Sequence, residues 1–274
     1  MNDMGGLSRY LRLFNAFARF SLANELAFRG NFVLKFLVEL MWLGILLVFY
    51  DTVFGYTSAV AGWNRDEYMI FLGCYYALEG VIETLFLENC TDFSDLVRTG
   101  NLDLYLLKPI DEQFLITCRK LDWSTAPKLL LGALVMARGL SGMTWHFDAL
   151  QVLLFLALFL CGVALAYSFL LILTSSSVWL MRNQSLMELW WLATTVMRYP
   201  REVYRDYFWA EILRRLFWYA IPMLLVVNVP ASVVVRQFFD PWNVAFTFVA
   251  TAAFLAISRW FFFRALRSYR SASS

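Results

Sequence analysis

Hydrophobic residues form long runs along most of this chain, and short polar stretches separate them. A helix needs about 20 consecutive apolar residues to cross a bilayer. Runs of this length occur at residues 32–54, 68–89, 149–173 and 242–263. A weaker run, residues 121–140, is interrupted by Asp122, Pro127, Lys128 and Arg138. Because proline lacks a backbone N–H, Pro127 either kinks or starts this helix.

The stretch from residue 186 to residue 235 can be interpreted in two ways. Residues 186–196 are apolar but short, so they cross a bilayer only if it is locally thin or their partners are tilted. Residues 198–215 are rich in arginine and aromatic residues, and residues 216–235 are apolar again. In one alternative residues 186–196 cross and residues 216–235 dip in and return. In the other, residues 216–235 form the fifth span, and both alternatives give six spans.

The N-terminal stretch has the pattern of an amphipathic helix, which we assign to residues 7–30. At helical spacing, Phe14 and other apolar residues lie on one side, while Arg9, Arg12 and Arg19 lie on another. This pattern is typical of a helix in the membrane surface, with arginines toward anionic headgroups. The alternative is an ordinary helix that packs on a soluble partner.

Composition sets the class of protein. Of 274 residues, 61% are hydrophobic and 16% are charged. In a typical soluble domain about half of the residues are apolar and about a quarter are charged. The sequence therefore predicts an all-α integral membrane protein with six transmembrane helices, in one domain of residues 1–274. Both ends are basic, as are residues 98–120, whereas residues 55–66 contain only Arg65. By the positive-inside rule, both termini face the cytoplasm.

The chain offers little for catalysis. It has one histidine, His146, and four cysteines without a C-x-x-C pair, which disfavours zinc, haem and His-based catalytic sites. The P-loop pattern G-x-x-x-x-G-K-[ST] does not occur in the sequence. We therefore expect a non-catalytic chain that holds no metal or cofactor and binds no nucleic acid.

Ionisable residues within the apolar runs form a second set of candidates, because charge in lipid is costly. Lys35 and Glu39 are four residues apart in the first run, and we expect them to pair with each other. Glu79 and Glu83 share one face of the second run. Either they pair structurally with Lys35, Lys128 or Arg119, or they line a transport pathway.

Small residues in the first two runs indicate close contact between helices. These residues are Gly44, Gly73, Ala77 and Gly80, and such residues allow helix backbones to approach in membranes. We therefore expect tight packing along these positions.

A charged stretch between the second and third runs carries a motif. R-x-G-x-L-D-x-x-L-L-K-P is formed here by Arg98, Gly100, Leu102, Asp103, Leu106, Leu107, Lys108 and Pro109. GWNRDEYMIFLG precedes it, and RYP, IPMLLVVNVPA and LRSYRSASS follow in that order. This ordered set resembles permease subunits of bacterial ATP-binding-cassette transporters of the type-2 export family.

The resemblance implies an architecture. It implies an N-terminal interfacial elbow helix, six spans, and a cytoplasmic segment at residues 92–110 that couples the chain to an ATPase. It also implies a re-entrant hairpin before the last span, on the outer side, within residues 200–231. The 92–110 segment is then the ATPase-coupling site.

Elementary helix chemistry adds detail to the 92–110 segment. Asp92 and Asp95 favour a helix start, Gly100 ends that helix, and Pro109 fixes the exit. Leucines can fill a groove on a partner while charged residues fix the register. The leucines are Leu102, Leu104, Leu106 and Leu107, and the charged residues are Arg98, Asp103 and Lys108. The alternative is a loop whose leucines dip into lipid.

By this resemblance the chain is one membrane half of an ATP-driven exporter in the bacterial cytoplasmic (inner) membrane. Two ATPase subunits bind ATP and Mg, and a second permease chain, identical or related, completes the transporter within membrane lipids. An ATPase-independent scaffold or carrier remains the alternative. Lipidic, polysaccharide and peptide substrates all fit the sequence.

Overall fold

The computed structural model describes residues 4–143, 148–180, 184–205, 208–235 and 240–269. His146 and the residues after Tyr269 lie outside these ranges. The α-helices are α1 Met4–Ala27, α2 Arg29–Tyr56, α3 Arg65–Ile82, α4 Glu88–Thr99, α5 Leu102–Leu106, α6 Glu112–Cys118, α7 Pro127–Gly142, α8 Ala149–Leu180, α9 Gln184–Met197, α10 Phe208–Arg215, α11 Met223–Val235 and α12 Pro241–Ser268. The predicted all-helical class is confirmed for the described residues.

Irregular helical turns join several of these elements. A π-helical turn, Glu83–Leu87, joins α3 to α4, so that Arg65–Thr99 forms one continuous helix. A 3₁₀ turn, Arg201–Tyr204, precedes α10, and a second π-helical turn, Leu216–Ala220, follows it. The first π turn inserts an extra residue without ending its helix, whereas the helix that contains the second ends at Ala220.

Four helices are long and apolar enough to cross a membrane, namely α2, Arg65–Thr99, α8 and α12. They coincide with the four strong apolar runs of the sequence. Helix α7 has 16 residues and starts at Pro127, so the proline begins this helix and does not kink it. Helix α9 has 14 residues. Phe208–Ala220 and Met223–Val235 form an apolar pair bent by 85°, which is the geometry of a broken span or a re-entrant loop.

Side-chain contacts at the ends of the helices and in the adjoining loops define two ends of the helix bundle. At the 92–110 end, Lys35 contacts Asp122 at 3.0 Å, and Phe93 lies against Phe262. At the opposite end, Arg65 pairs with Asp51, near the end of α2. The start of α2 and the last turns of α12 therefore lie at the same end as the 92–110 segment.

The segment after α9 lies at the opposite end. The Trp63 indole N–H donates to Glu202 at 3.2 Å, and the backbone N–H of Arg201 donates to Asn228 at 2.8 Å. Trp63 belongs to the loop between α2 and α3. The arginine-rich stretch around Arg201 is therefore separated from the 92–110 segment by the length of the bundle.

Helix α3 forms the centre of the bundle because glycines let α7 approach it closely. A Cβ on Gly73 would lie 2.5 Å from the Gly132 carbonyl oxygen, and one on Gly132 would lie 2.5 Å from the Ala77 nitrogen. A Cβ on Gly80 would lie 2.7 Å from that of Lys128. The predicted close packing is confirmed at these α3 positions. No heavy atom of the chain lies within 4 Å of a Cβ added to Gly44, so close packing there stays a prediction.

Helix α1 covers residues 7–27 of the helix predicted at 7–30, whereas Arg29 and Gly30 already belong to α2. Helix α1 packs on the 92–110 end. Arg9 donates to the Pro109 carbonyl oxygen at 3.0 Å, and the Trp123 indole N–H donates to the Ala18 carbonyl oxygen at 2.9 Å. Arg9, Arg12 and Arg19 are exposed, whereas Phe14 is half-buried. These contacts fix the helix against the bundle, and its place in a membrane surface stays a prediction.

Candidate functional site

The 92–110 segment begins as an extension of the second span. Asp92 and Asp95 lie inside α4, which continues from α3 through the π turn. The prediction that these aspartates start a helix is therefore wrong. Asp92 instead accepts hydrogen bonds from Lys120 at 2.5 Å and Arg119 at 3.1 Å, while Asp95 pairs with Arg98 at 3.2 Å. Asp92 anchors the end of α4 to the segment that returns toward α7, whereas the Asp95 pair lies within α4.

Gly100 ends α4, as the sequence predicts. Its φ of +72° lies in the left-handed region, and its N–H contacts the Val97 carbonyl oxygen. Glycine adopts this conformation without steric cost. The chain then forms the short helix α5, and Pro109 lies in the bend after it. The left-handed turn directs α5 away from the axis of α4.

The leucines of the segment do not all project outward. Leu102 is fully buried in a cluster with Phe93, Ile116 and Phe262, and Leu106 is half-buried against the same cluster. The prediction that Leu102 contacts a partner is therefore wrong, and the Leu106 side chain is largely engaged within the chain. Spacing explains the division, because Leu102 and Leu106 are four residues apart and share one helix face.

Leu104 and Leu107 form the outward face of the segment. Their side chains are 63% and 82% exposed, and their spacing of three places them together. Lys108 is exposed beside them, with its ammonium 4.8 Å from the Tyr105 ring centre. Arg98 is exposed and Asp103 is half-buried. The segment therefore presents two exposed leucines with charged side chains nearby in the same segment.

Asp111 joins the segment to the last helix, a role that the sequence analysis missed. It caps α6 by accepting from the Phe114 N–H at 3.0 Å, and it accepts from Arg259 of α12 at 2.8 Å. Burial raises the pKa of Asp111, but these hydrogen bonds outweigh burial and hold it below its usual range. The cap could have been recognised, because Asp111 precedes the helical stretch EQFLITC. Nothing in the sequence indicates Arg259 as its partner.

A buried charge cluster lies between α2, α3 and α7. Lys128 contacts Glu83 at 2.7 Å, Glu39 at 3.2 Å and Glu79 at 3.8 Å. The four side chains are between 8% and 16% exposed. Structural pairing of Glu79 and Glu83 with Lys128 is confirmed. Because Lys35 contacts Asp122, the predicted pair between Lys35 and Glu39 is wrong.

Tyrosines extend the charge cluster toward the opposite end. The Tyr76 hydroxyl donates to Glu39 at 3.1 Å, and the Tyr75 hydroxyl donates to Glu79 at 2.9 Å. Arg198, after α9, contacts the Tyr75 hydroxyl at 3.5 Å. The three glutamates thus share the buried ammonium of Lys128. The Tyr75 hydroxyl links Glu79 to the Arg198 guanidinium. Buried carboxylates require such partners because their desolvation is expensive.

Among the described residues, no cluster of three or more His, Cys, Asp or Glu has the arrangement to hold a metal ion. The charge cluster includes three glutamates, but Lys128 occupies the position between them that a cation would take.

Apolar spans, glycine-mediated helix contacts and a buried charge cluster define a multi-pass membrane protein. A sequence model described as ABC-2 family transporter protein matches residues 40–273, so the chain belongs to the ABC-2 transporter family. The resemblance inferred from the sequence motifs is thereby confirmed. Searches of curated proteins and of solved structures found no match.

Proposed function

We propose that this chain is the permease subunit of an ATP-driven exporter. It moves a substrate out of the cytoplasm or across the bilayer, using ATP hydrolysed by a separate ATPase subunit. Membership of the ABC-2 family supports this role. The observation that carries the coupling step is the exposed pair Leu104 and Leu107, held on a short helix that other elements fix in place.

The site is suited to receive force from another protein. Two exposed leucines ringed by charge have the chemistry of an interface anchor, with an apolar centre and a polar rim. Arg9 and Arg259 tie the segment to α1 and α12 through Pro109 and Asp111. A displacement of α5 is therefore transmitted to α1 and α12.

The alternation of the helices between the two ends supports an arrangement with six membrane crossings. The four long apolar helices supply four crossings, and the shorter α7 and α9 supply two. The bent pair α10–α11 then acts as a re-entrant hairpin on the outer side. In this arrangement the 92–110 end faces the cytoplasm together with both termini, and the membrane is the bacterial cytoplasmic (inner) membrane.

The complete transporter contains two permease chains and two ATPase subunits. The ATPases bind ATP and Mg, and this chain performs no catalysis of its own. The second permease is a copy of this chain or a relative. When the ATPases close on ATP, they displace the 92–110 segments, and the paired spans expel or flip the substrate.

Affinity purification tests the coupling role. The tagged chain is purified in mild detergent from its native host, as wild type and as the double variant Leu104→Ser/Leu107→Ser. We expect an ATPase with a Walker-type nucleotide site to co-purify with the wild type, as detected by mass spectrometry. The double variant should retain roughly thirtyfold less of it or lower still, because hot-spot truncations cost about 2 kcal/mol or more.

The matched control is Ile212→Ser/Leu213→Ser, which changes two partly exposed apolar residues of α10 near the opposite end. This control should retain the ATPase. Equal loss in both variants would indicate general destabilisation, and no ATPase in any sample would contradict the proposed function. In that second case the ATPase-independent scaffold or carrier becomes the better interpretation.

A further inference from the structure

A groove with an apolar floor runs between α2, α3 and α7 toward the opposite end. Its volume is about 570 Å³, within the roughly 300–1,000 Å³ typical of small-molecule sites. Its apolar lining consists of Leu43, Leu47, Val48, Met69, Leu131, Leu134 and Val135. The groove opens to the surface of the bundle, where Leu134 is 66% exposed.

Charged residues occur only at one end of the groove lining. Arg65 and Asp51 lie there and pair with each other. Arg138 lies there too, is exposed, and donates to the Ser141 hydroxyl at 3.3 Å. Asp66 completes the rim. Within the described part of the chain, neither Arg138 nor Asp66 forms an ion pair.

The packing of α7 fixes the Asp66 carboxylate in place. A Cβ on Gly142 would coincide with this carboxylate, and one on Gly139 would lie 2.7 Å from the Asp66 carbonyl oxygen. Gly139 follows Arg138 directly, so the unpaired anion and the unpaired cation occupy the same end of α7. A cation and an anion without ion-pair partners among the described residues therefore lie at the head of an apolar groove.

We propose that this groove binds a phospholipid with a zwitterionic amine headgroup, phosphatidylethanolamine. The phosphate accepts hydrogen bonds from the Arg138 guanidinium, and the ammonium donates to the Asp66 carboxylate. An acyl chain lies along the leucines of the floor. An anionic headgroup without an amine would satisfy Arg138 and leave Asp66 unmatched, and an uncharged sterol would satisfy neither.

The assignment of the lipid to one leaflet rests on the proposed function, whereas the proposal that the groove binds this lipid does not. If the 92–110 end faces the cytoplasm, the groove head lies in the outer leaflet, because Asp66 follows the loop at the opposite end. The lipid then stands beside α3 and α7, at the helix pair that carries the buried charge cluster.

Lipid retention by the full chain tests the site. The purified chain is reconstituted in nanodiscs of equal parts phosphatidylethanolamine and phosphatidylglycerol, released into mild detergent, and analysed by native mass spectrometry. We expect one retained lipid per chain, predominantly phosphatidylethanolamine. Arg138→Gln should lower retention of both lipids about tenfold or more, the effect of losing a hydrogen bond to a charged group. Asp66→Asn should abolish the preference while retaining phosphatidylglycerol.

Two single tryptophan variants, one inside the groove and one outside it, test whether the lipid occupies the groove. Leu134→Trp fills the groove and should displace the lipid. Leu153→Trp alters a leucine of α8 that is 65% exposed and does not line the groove, so it should retain the lipid. Thermal unfolding of each variant confirms that the protein remains folded.

Three results would overturn the proposal. They are no retained lipid in the wild type, equal retention in Leu134→Trp and Leu153→Trp, or a change of oligomeric state in Leu134→Trp without any dependence on lipid. The last would show that a second protein chain occupies the groove. Because Leu104 and Leu107 lie at the other end, ATPase co-purification reports separately on the proposed function.

Discussion

Helix α2 and the helix Arg65–Thr99 are neighbours in sequence but differ in how they are packed. The apolar stretch of α2 has a mean hydropathy of 2.3, and 6% of it is buried within the chain. The corresponding stretch of Arg65–Thr99 has a lower mean hydropathy of 1.5, and 78% of it is buried. The more apolar helix is therefore the less buried one.

This contrast follows from the nature of the bilayer. Lipid tails are as apolar as leucine, so apolarity does not draw one spanning helix against another. Burial of α3 depends instead on glycines such as Gly73 and on the charges around Lys128. The surface of α2 is left for lipid or for another chain.

The largest expected effect comes from removing the cation of the buried cluster. Lys128→Met leaves Glu39, Glu79 and Glu83 buried together without the cation that they share, which should cost about 3–5 kcal/mol in the free energy of unfolding. The yield of folded protein and its thermal unfolding in detergent measure this. Adding Glu83→Gln should recover part of the loss. Wild-type stability in Lys128→Met would show that water enters the cluster.

The next effect concerns the close contact of α3 with α7. Gly132→Val places a side chain against the backbone of Ala77 and should destabilise the protein by about 1–3 kcal/mol. Gly44→Val on α2 is the matched control, since no heavy atom lies within 4 Å of its added Cβ. Equal thermal shifts for both valine variants would remove the distinction between the two helices.

Neutralising Glu79 and Glu83 of the helix Arg65–Thr99 separates a structural role of these residues from a role in transport. Glu79→Gln/Glu83→Gln keeps the size of both side chains and removes their charge, so we expect the chain to fold. If these residues line the pathway, transport should fall about tenfold, equivalent to ~1.4 kcal/mol in the barrier. Substrate efflux from reconstituted vesicles measures this. Loss of expression would assign both residues to structural pairing alone.

A smaller effect is expected at the junction of the 92–110 segment with α12. Asp111→Asn keeps an oxygen for the α6 cap but removes the charge facing Arg259, at a cost of about 1 kcal/mol near pH 7. Because the folded state lowers the pKa of Asp111, its contribution is present above the unfolded-state pKa of about 3.9. It is lost as the pH falls through the folded-state pKa. The difference in thermal stability between wild type and variant should therefore shrink below about pH 4, and a difference independent of pH would contradict this.

The smallest effect is expected on the open face of α2. Val48→Ala changes a side chain that is 67% exposed and should alter the stability of the monomeric chain by less than about 0.5 kcal/mol. Thermal unfolding in detergent measures this at two protein concentrations. A larger loss that depends on concentration would show that another copy covers this face.

The sequence predicts most helices because apolar runs and proline act locally. The four long helices, the start of α7 at Pro127 and the end of α4 at Gly100 all follow from neighbouring residues. Ion pairing is different, because partners come from distant parts of the chain. Lys35 meets Asp122, and no pattern around Lys35 indicates this.

The 92–110 segment shows the same limit at shorter range. Its location and its leucines were recognisable, but the division between buried Leu102 and exposed Leu104 depends on Phe262 of α12, far along the chain. Asp92 and Asp95 have the composition of a helix start, yet the π turn at Glu83–Leu87 continues the preceding helix through them. The local sequence there permits either a new helix start or continuation of the preceding helix, and tertiary contacts determine which of the two occurs.

The unbroken helix Arg65–Thr99 has a mechanical consequence. Its 35 residues span about 50 Å at roughly 1.5 Å per residue. The stretch contains no proline, and the π turn at Glu83–Leu87 continues the helix without ending it. It can therefore behave as a stiff lever, whose one end carries Gly100 and whose shaft carries Gly73 and Glu83. A displacement of the 92–110 end would tilt the whole helix together with α7, which packs closely on it. The two ends of the bundle would then move at the same time.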